Sequence, residues 1–415
     1  MTGTAAHGAA GVGHADTDAE LRGHTEVGAP SPLDRRKRPS APAGAALDGE
    51  SASARWRRQL TGTSMNRRND GSRLGVGLVG LGYWGPNLLR GLIEQSSVDL
   101  RYICDLDQER LASFSRRYPG AAPTSRYEDL LEDPQVEAII IATPVFTHFE
   151  LAAAALRADK HTFVEKPLAP SAAEAAELIA LARDRNLRLM CGQTFLYSPP
   201  VREVKRLIET GELGDIYFIS SSRVNLGLHQ RDISVIWDLG PHDFSILLHW
   251  LEEMPESITA AGRDSIVPGI HDVAFMTLQF PSGIVANVEL SWLAPSKLRR
   301  TAIVGSNKMV LYEDGTGEPV RVFDSGVVYR DPETFGEYQL SYRTGDIRSP
   351  CIAATEPLVT ELAEFVRLIR MEEPSEDLEL ALQVVLLAEA AEASLASGGI
   401  PVAVSRDIDS DLIPS

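Results

Sequence analysis

Three glycines and one aspartate carry the first chemical signal in the sequence. Gly80-Leu81-Gly82-Tyr83-Trp84-Gly85 has the spacing G-x-G-x-x-G, which recurs by chance and is weak alone. Here it directly follows the apolar run Leu74–Val79 and precedes a segment that reads as a helix, Asn87–Gln95. In that context Gly80 can make a tight turn, Gly82 can let the backbone approach a pyrophosphate, and Gly85 can let helix and strand pack closely. The helix N-terminus then offers free N–H groups to the anion. Asp105 stands 20 residues after Gly85, at the end of a second strand-like run, Val98–Cys104, where a carboxylate accepts hydrogen bonds from ribose hydroxyls. A plainer alternative has the glycines only turning the chain and Asp105 only capping a helix, but it makes the joint placement a coincidence. The set predicts a dinucleotide site. An acid at position 105 repels a 2′-phosphate, which favours NAD over NADP unless a cation such as Arg110 offsets it.

Residues of this kind need a parallel sheet to hold them, and the flanking pattern supplies one. A helix over Asp107–Tyr118, a strand Ala138–Ala142, a helix Phe146–Ala158 and a strand His161–Val164 follow in turn. A long Ala/Leu-rich helix, Ser171–Asn186, then begins with Ser171 as N-cap and Glu174 three residues on, and leads to a strand Leu187–Cys191. Strands separated by amphipathic helices require crossovers, so the fold class is α/β with a doubly wound parallel sheet. After about Gln193 the rhythm shifts to a helix Pro200–Thr210 and longer strand-like runs. These are Ile216–Val224, Asp272–Phe280, Ile284–Trp292, Leu298–Val304 and Lys308–Tyr312, two of them joined by the turn Pro281-Ser282-Gly283. They predict a mostly antiparallel sheet in an α+β domain, followed by two packing helices, Pro357–Met371 and about Glu376–Ala396. Residues 314–355 read as irregular, a long loop near the active site or an oligomer contact. The expected domains are 74–195 and 196–405, between a disordered tail of residues 1–73 and a flexible C-terminus of residues 406–415.

Composition excludes several classes of partner. The 415 residues carry a formal charge of -18, and residues 1–73 hold 11 Arg/Lys against 8 Asp/Glu, which leaves the remainder at -21. Such a surface repels nucleic acid and acidic membranes, so neither is an expected partner. Cys104, Cys191 and Cys351 are far apart and form no CxxC pair, which fits a reducing cytoplasm. No apolar run approaches the roughly 18 residues of a spanning helix. The clusters Arg35-Arg36-Lys37-Arg38 and Arg55-Trp56-Arg57-Arg58 invite a twin-arginine export reading, but no apolar segment follows either, so a cytoplasmic location is expected. His7, His14 and His24 are irregularly spaced and read as solvated. Met65, nine residues before the first strand, is a candidate true start that N-terminal sequencing of the native protein would test. His229, His271 and Asp272 lack metal-ligand spacing, and no metal is expected.

Four further segments follow in order: Ala142-Thr143-Pro144 with His148, Glu165-Lys166-Pro167, Gly192-Gln193, and Trp237-Asp238-Leu239-Gly240-Pro241-His242-Asp243. With the glycine motif they resemble the glucose–fructose oxidoreductase, inositol dehydrogenase and rhizopine-catabolism family, Gfo/Idh/MocA, over about residues 74–405. The resemblance implies a Rossmann domain followed by an open-faced antiparallel sheet, with the nicotinamide ring between them. It implies Lys166, Asp238 and His242 as the catalytic set and a cis bond before Pro167. It also implies that Tyr83, Trp84, Thr143, Pro144, His148, Glu165 and Gln193 join Gly80, Gly82, Gly85 and Asp105 around the cofactor. Gln193 departs from the His or Asn of many relatives, and His148 reads equally as a helix-start histidine. Family members pair through the exposed sheet face, so a homodimer or homotetramer is implied.

The chemistry agrees with that set. Oxidising a secondary alcohol needs a base near neutrality and a donor to steady the developing oxyanion. His242 can be the base at its ordinary pKa, and Lys166 can orient the hydroxyl or share the proton; which takes it first stays open. Asp238 lies four residues before His242, but Gly240-Pro241 between them argues against a regular helix. Arg223 and Asn225, two apart on a predicted strand, project on one face and could bind substrate hydroxyls or a phosphate, or form a ladder edge facing solvent. The leading reading is hydride transfer to or from a sugar, with a nucleotide-linked sugar at C3 as the sharpest form. An inositol-type polyol dehydrogenase, an NAD-dependent glycosidase and a non-enzymatic sensor are the alternatives, and a proton-transfer set counts against the sensor.

Overall fold

The computed structural model describes residues 73–227, 229–230, 233–330, 339–375 and 377–404. The predicted N-terminal tail before residue 73, its basic clusters, Met65 and the last residues from 405 lie outside the described residues. From Leu74 the chain alternates strand and helix: β1 (Leu74–Val79), α1 (Gly85–Glu94), β2 (Val98–Cys104), α2 (Gln108–Arg117), β3 (Ala122–Thr124), α3 (Glu128–Glu132), β4 (Ala138–Ile141), α4 (His148–Arg157), β5 (His161–Glu165), α5 (Ala172–Asp184) and β6 (Leu189–Gly192). The six strands form a sheet in the order β3-β2-β1-β4-β5-β6, and every neighbouring pair is parallel. Strands β1, β4 and β6 are buried along their whole length, which is why they read as unbroken apolar runs. The sheet reverses its order between β1 and β4, and the crevice beyond their C-terminal ends is where such a fold receives a ligand. The predicted cap of α5 is present, with the Ser171 hydroxyl accepting the Glu174 N–H at 3.2 Å.

The second half opens with α6 (Pro199–Glu209), β7 (Ile216–Leu226) and α7 (Val235–Leu251). It continues through β8 (Ser257–Arg263), β9 (Val273–Gln279), β10 (Val285–Ser291), β11 (Leu293–Gly305), β12 (Met309–Glu313), β13 (Val320–Arg330) and β14 (Gln339–Arg348). Two helices, α8 (Pro357–Met371) and α9 (Leu378–Ala396), and the short β15 (Val402–Ala403) end the described chain. The nine strands form a mixed, mostly antiparallel sheet, β14-β13-β12-β11-β7-β10-β9-β8-β15, in which only β7 and β10 run parallel. Strands β9 and β10 alternate buried and exposed residues, so one sheet face packs on helices while Phe275 and Val285 stand out from the other. Helix α9 joins the two cores. Ala381 and Val385 enter the core of the parallel sheet, while Val384, Leu387 and Ala388 enter that of the mixed sheet. Helix α8 lies on the parallel-sheet core, where Phe365 meets Phe163 edge-on at 5.6 Å.

Two expectations are corrected. Residues 235–251 form one helix despite Gly240-Pro241, with Pro241 inside it. An interior proline costs about 3 kcal/mol or more in an isolated helix. Here Val235, Ile236, Phe244, Leu247 and Leu248 are buried in the mixed-sheet core, and that packing outweighs the local preference. The stretch 314–355, read as irregular, contains the hairpin β13–β14 at the sheet edge. Its outer strand, β14, is polar as edge strands are, while β13 inside it buries Val320 and Val322 against the core.

Candidate active site

The glycine motif is the turn from β1 into α1, and each glycine is required for a different reason. Gly80 adopts φ +93°, and a Cβ there would lie 2.6 Å from the Ala142 carbonyl oxygen at the end of β4. A Cβ on Gly85 would meet the Gly80 carbonyl oxygen at 2.0 Å, so this glycine lets the helix start against the turn. A Cβ on Gly82 would meet nothing within 4 Å: it faces the open crevice, where bare backbone lets a phosphate come close. Helix α1 has no side-chain cap, no acid in its first turn and Pro86 at its start, which leaves its N-terminus to an anion. Tyr83 is exposed beside it, and Trp84 turns inward with its indole N–H buried near the Glu165 carboxyl.

Gly82→Ala is therefore expected to leave thermal unfolding within about 0.5 kcal/mol of wild type and to weaken dinucleotide binding at least ~10-fold through steric exclusion. Gly85→Ala should instead lower the melting temperature outright. Calorimetric titration and thermal melts of the two variants check this, and the assignment fails if Gly82→Ala binds NAD normally.

Asp105 follows β2 and faces the same turn. Its carboxylate accepts the Leu81 N–H at 2.7 Å and the Asp107 N–H at 2.8 Å, and it pairs with Arg110 at 3.1 Å. The backbone bonds fix the carboxylate at the rim of the crevice. Arg110, 40% exposed, sets a positive charge beside this carboxylate.

At the far end of the crevice lie the ends of β4, β5 and β6. Pro144 starts a single 3₁₀ turn, Val145–Thr147, that leads into α4. His148 is buried, with Nε2 2.8 Å from the Thr143 carbonyl and Nδ1 2.8 Å from the Pro167 carbonyl. Burial pushes its pKa below the ordinary value. Both nitrogens face carbonyls, and the single N–H of the neutral ring donates to one of them, so this histidine packs the β4 loop against the Glu165-Lys166-Pro167 segment through one hydrogen bond. The Lys166–Pro167 bond is cis, as expected. Burial pushes the Glu165 carboxyl up to about 7, against the opposing pull of Lys166. Oε1 of Glu165 and Oε1 of Gln193 are buried acceptors without a well-aligned partner, and the Glu165 carboxyl also lies beside the Trp84 indole.

Lys166 reaches from β5 across to α7. Its Nζ donates to the Asp238 carbonyl at 2.8 Å and lies 3.5 Å from the Asp238 carboxylate. Pro241 lacks the N–H that would bond the Trp237 carbonyl, one residue before the Asp238 carbonyl on which Lys166 docks. The other carboxylate oxygen accepts the indole N–H of the buried Trp292 at 3.0 Å, which holds Asp238 from the sheet side. His242, one helical turn further on, meets the Phe195 ring edge-on at 5.1 Å. Burial, then the nearby cations Lys166, Arg223 and Arg299, press its pKa well below the ordinary value. The expectation of an ordinary histidine pKa is thus corrected, because the ring is desolvated first and flanked by three cations second.

Arg223 and Asn225 share a face of β7, a central strand rather than a solvent-facing edge. Arg223 is 4% exposed, pairs through Nε with Asp243 and lies over Phe195, its guanidinium carbon 4.6 Å from the ring centre. Asp243 also accepts the Ser221 hydroxyl at 2.7 Å. The structure thus brings Lys166, Asp238, His242 and Arg223 into one cluster. Sequence reasoning missed Phe195, Asp243, Trp292, Arg299 and Glu361. Glu361 of α8 is buried behind Glu165 and accepts the Thr194 hydroxyl at 2.7 Å; burial, then Glu165, push its carboxyl well above the carboxylate range. Among the described residues no helix is long and apolar enough to cross a membrane, and no group of three or more candidate ligands could hold a metal ion.

Comparison with known proteins agrees with this architecture. Residues 74–193 match the Gfo/Idh/MocA oxidoreductase family model, an NAD-binding Rossmann fold, and residues 201–311 match the Gfo/Idh/MocA C-terminal domain. The uncharacterized oxidoreductase YrbE of Bacillus subtilis (strain 168) is 26% identical over 63% of this chain and 80% of its own. Inositol 2-dehydrogenase 2 of Saccharopolyspora erythraea is 29% identical over 52% of this chain and 66% of its own, and two further relatives are spanned over 61% of their length. Among solved structures, GenD2 from gentamicin A biosynthesis, in complex with NAD, superposes with a TM-score of 0.69 at 24% identity, covering 80% of this chain and 97% of GenD2. The chain belongs to the Gfo/Idh/MocA family of oxidoreductases and carries its NAD-binding Rossmann domain.

Proposed function

We propose that this NAD-dependent oxidoreductase moves a hydride between the nicotinamide and a hydroxyl-bearing carbon of a sugar, with C3 of a nucleotide-linked sugar as the foremost form. One observation carries the reading. Lys166 from the end of β5 and Asp238 and His242 from α7 converge in one cluster, a proton-transfer set of the kind that hydride transfer from an alcohol needs. NAD, bound across the β1–α1 turn, supplies the hydride acceptor. Gly80, Gly82, Gly85, Tyr83, Trp84 and Asp105 hold its adenosine and pyrophosphate end, and Thr143, Pro144, Glu165 and Gln193 its nicotinamide end. His148 positions that end rather than touching it. The working division of the chain is 74–195 for the cofactor and 196–405 for the substrate and for self-association.

Each catalytic residue has a task that its surroundings fit. An ammonium has three N–H bonds, and Lys166 directs them toward the Asp238 carbonyl, toward its carboxylate, and toward the substrate. The third bond steadies the alkoxide that develops as hydride leaves. His242 is neutral and accepts the hydroxyl proton. Asp238, anchored by Trp292, fixes where the Lys166 charge sits.

A polyol such as an inositol is the nearest alternative. Following reduced-nicotinamide absorbance with UDP-sugars, free sugars and inositols should give turnover with a sugar. Turnover with inositols alone would move the assignment to a polyol dehydrogenase, and none with any of them would overturn both.

A further inference from the structure

We propose that the substrate of this site carries an anionic group, a carboxylate or a phosphoryl, held by Arg223 and Arg299. The inference rests on the hydride-transfer reading and adds to it the class of sugar. Arg223 on β7 and Arg299 on β11 are direct cross-strand partners. Each is paired with one carboxylate, Arg223 with Asp243 and Arg299 with Asp314, so the two charges are held side by side across the sheet by acidic partners. Both guanidinium groups lie over the Phe195 ring, at 4.6 and 5.7 Å, and the same ring meets His242. The two cations therefore stand against the base that would take the substrate proton.

Their internal partners leave donors over. Asp243 engages Arg223 through Nε, and its other oxygen is taken by Ser221, which in turn contacts Thr301 at 2.9 Å. Nη1 of Arg223 is left buried with no partner, and a buried charged donor in that state is among the costliest to leave unmet. Arg299 gives Nη1 to Asp314 at 2.8 Å and is 32% exposed, so a ligand can reach it from solvent. A planar guanidinium fork matches the two oxygens of a carboxylate or phosphoryl, and a charge-assisted bond from an anion meets the empty Arg223 donor about twice as strongly as a neutral hydroxyl would. Asn225, two residues along on the same face, has a buried Oδ1 without a partner, an acceptor suited to a ring hydroxyl next to the acidic group.

The test uses the full chain loaded with NAD and four probes: glucuronate, glucose 1-phosphate, UDP-glucuronate and glucose. Calorimetry reads binding and nicotinamide absorbance reads turnover. The expected result is at least ~10-fold tighter binding of an anionic probe than of glucose. Arg299→Gln should raise KM for that probe about 10-fold with a smaller change in kcat, Arg299→Lys should recover part of it, NAD affinity should not move, and loss of the partly exposed Asp314 pair should lower the melting temperature only slightly. Preference for glucuronate over glucose 1-phosphate assigns a carboxylate, and the reverse a phosphoryl. Glucose bound and turned over as well as every anion, with Arg299→Gln indifferent, overturns the inference and leaves hydride transfer standing. Anion binding that Arg299→Gln abolishes, with no reduction of NAD by any probe, supports the anion site and overturns hydride transfer instead.

Discussion

Lys166→Ala is expected to lower kcat roughly 10²–10⁴-fold while leaving NAD affinity within about threefold of wild type. The split follows from where the side chain goes. Its Nζ contacts Asp238 on α7, whereas the phosphate cradle is built by Gly80, Gly82 and Gly85 and the start of α1, none of which it touches. Removing it takes away a charge that acts on an alkoxide and so acts mainly in the transition state. Lys166→Arg should rescue little, because a rigid guanidinium cannot place one N–H at the substrate while meeting both the carbonyl and the carboxylate of Asp238. Asp238→Asn should fall between, since an amide keeps an acceptor for Trp292 but loses the charge opposite Lys166. Steady-state rates with cofactor binding measured by fluorescence titration check the series. Turnover of Lys166→Ala within tenfold of wild type would remove Lys166 from the chemistry.

The parts of this site that were legible in the sequence are those governed by short-range rules. Gly80 and Gly85 must be glycine because a Cβ strikes backbone a few residues away or on the adjoining strand, and Asp105 follows from the length of one βαβ unit. The parallel sheet was legible for the same reason, since β1 and β4 are buried on both faces. What escaped depends on contacts between distant segments. Trp292 matters only because β11 begins beside α7, and Arg299 only because it pairs with Arg223 across the sheet. Phe195 resembles any core aromatic until His242 and two arginines are found around it. Pro241 misled because a local rule about proline was overruled by burial of the whole helix. The same long-range field changed His242 from an ordinary base into one whose charged form is strongly disfavoured.

That change fixes the pH dependence. Protonated His242 cannot accept a proton, and its pKa is displaced downward by burial and by Lys166, Arg223 and Arg299. Oxidation should therefore hold steady as pH falls from 8 to about 6, where an unperturbed histidine of pKa about 6.5 would already have lost most of it. His242→Asn should cost roughly 10²–10⁴-fold in kcat/KM and abolish the acid limb. The fold must be monitored in the same range. His148, His161 (down to about 4) and His249 are also held neutral by burial, so the unfolded chain binds protons that the folded chain refuses. Stability from these groups is lost as pH falls through about 6.5 toward their folded values. Glu165, at about 7, and Glu361 act with the opposite sign: their protons are kept in the folded chain and released in the unfolded one above about 4.5, so they favour folding in acid and that contribution fades as pH rises. Circular dichroism at each pH separates unfolding from loss of the base. An acid limb near 6.5 in folded wild-type protein would contradict the buried, cation-flanked setting of His242, and a limb that persists in His242→Asn would assign the proton to another residue.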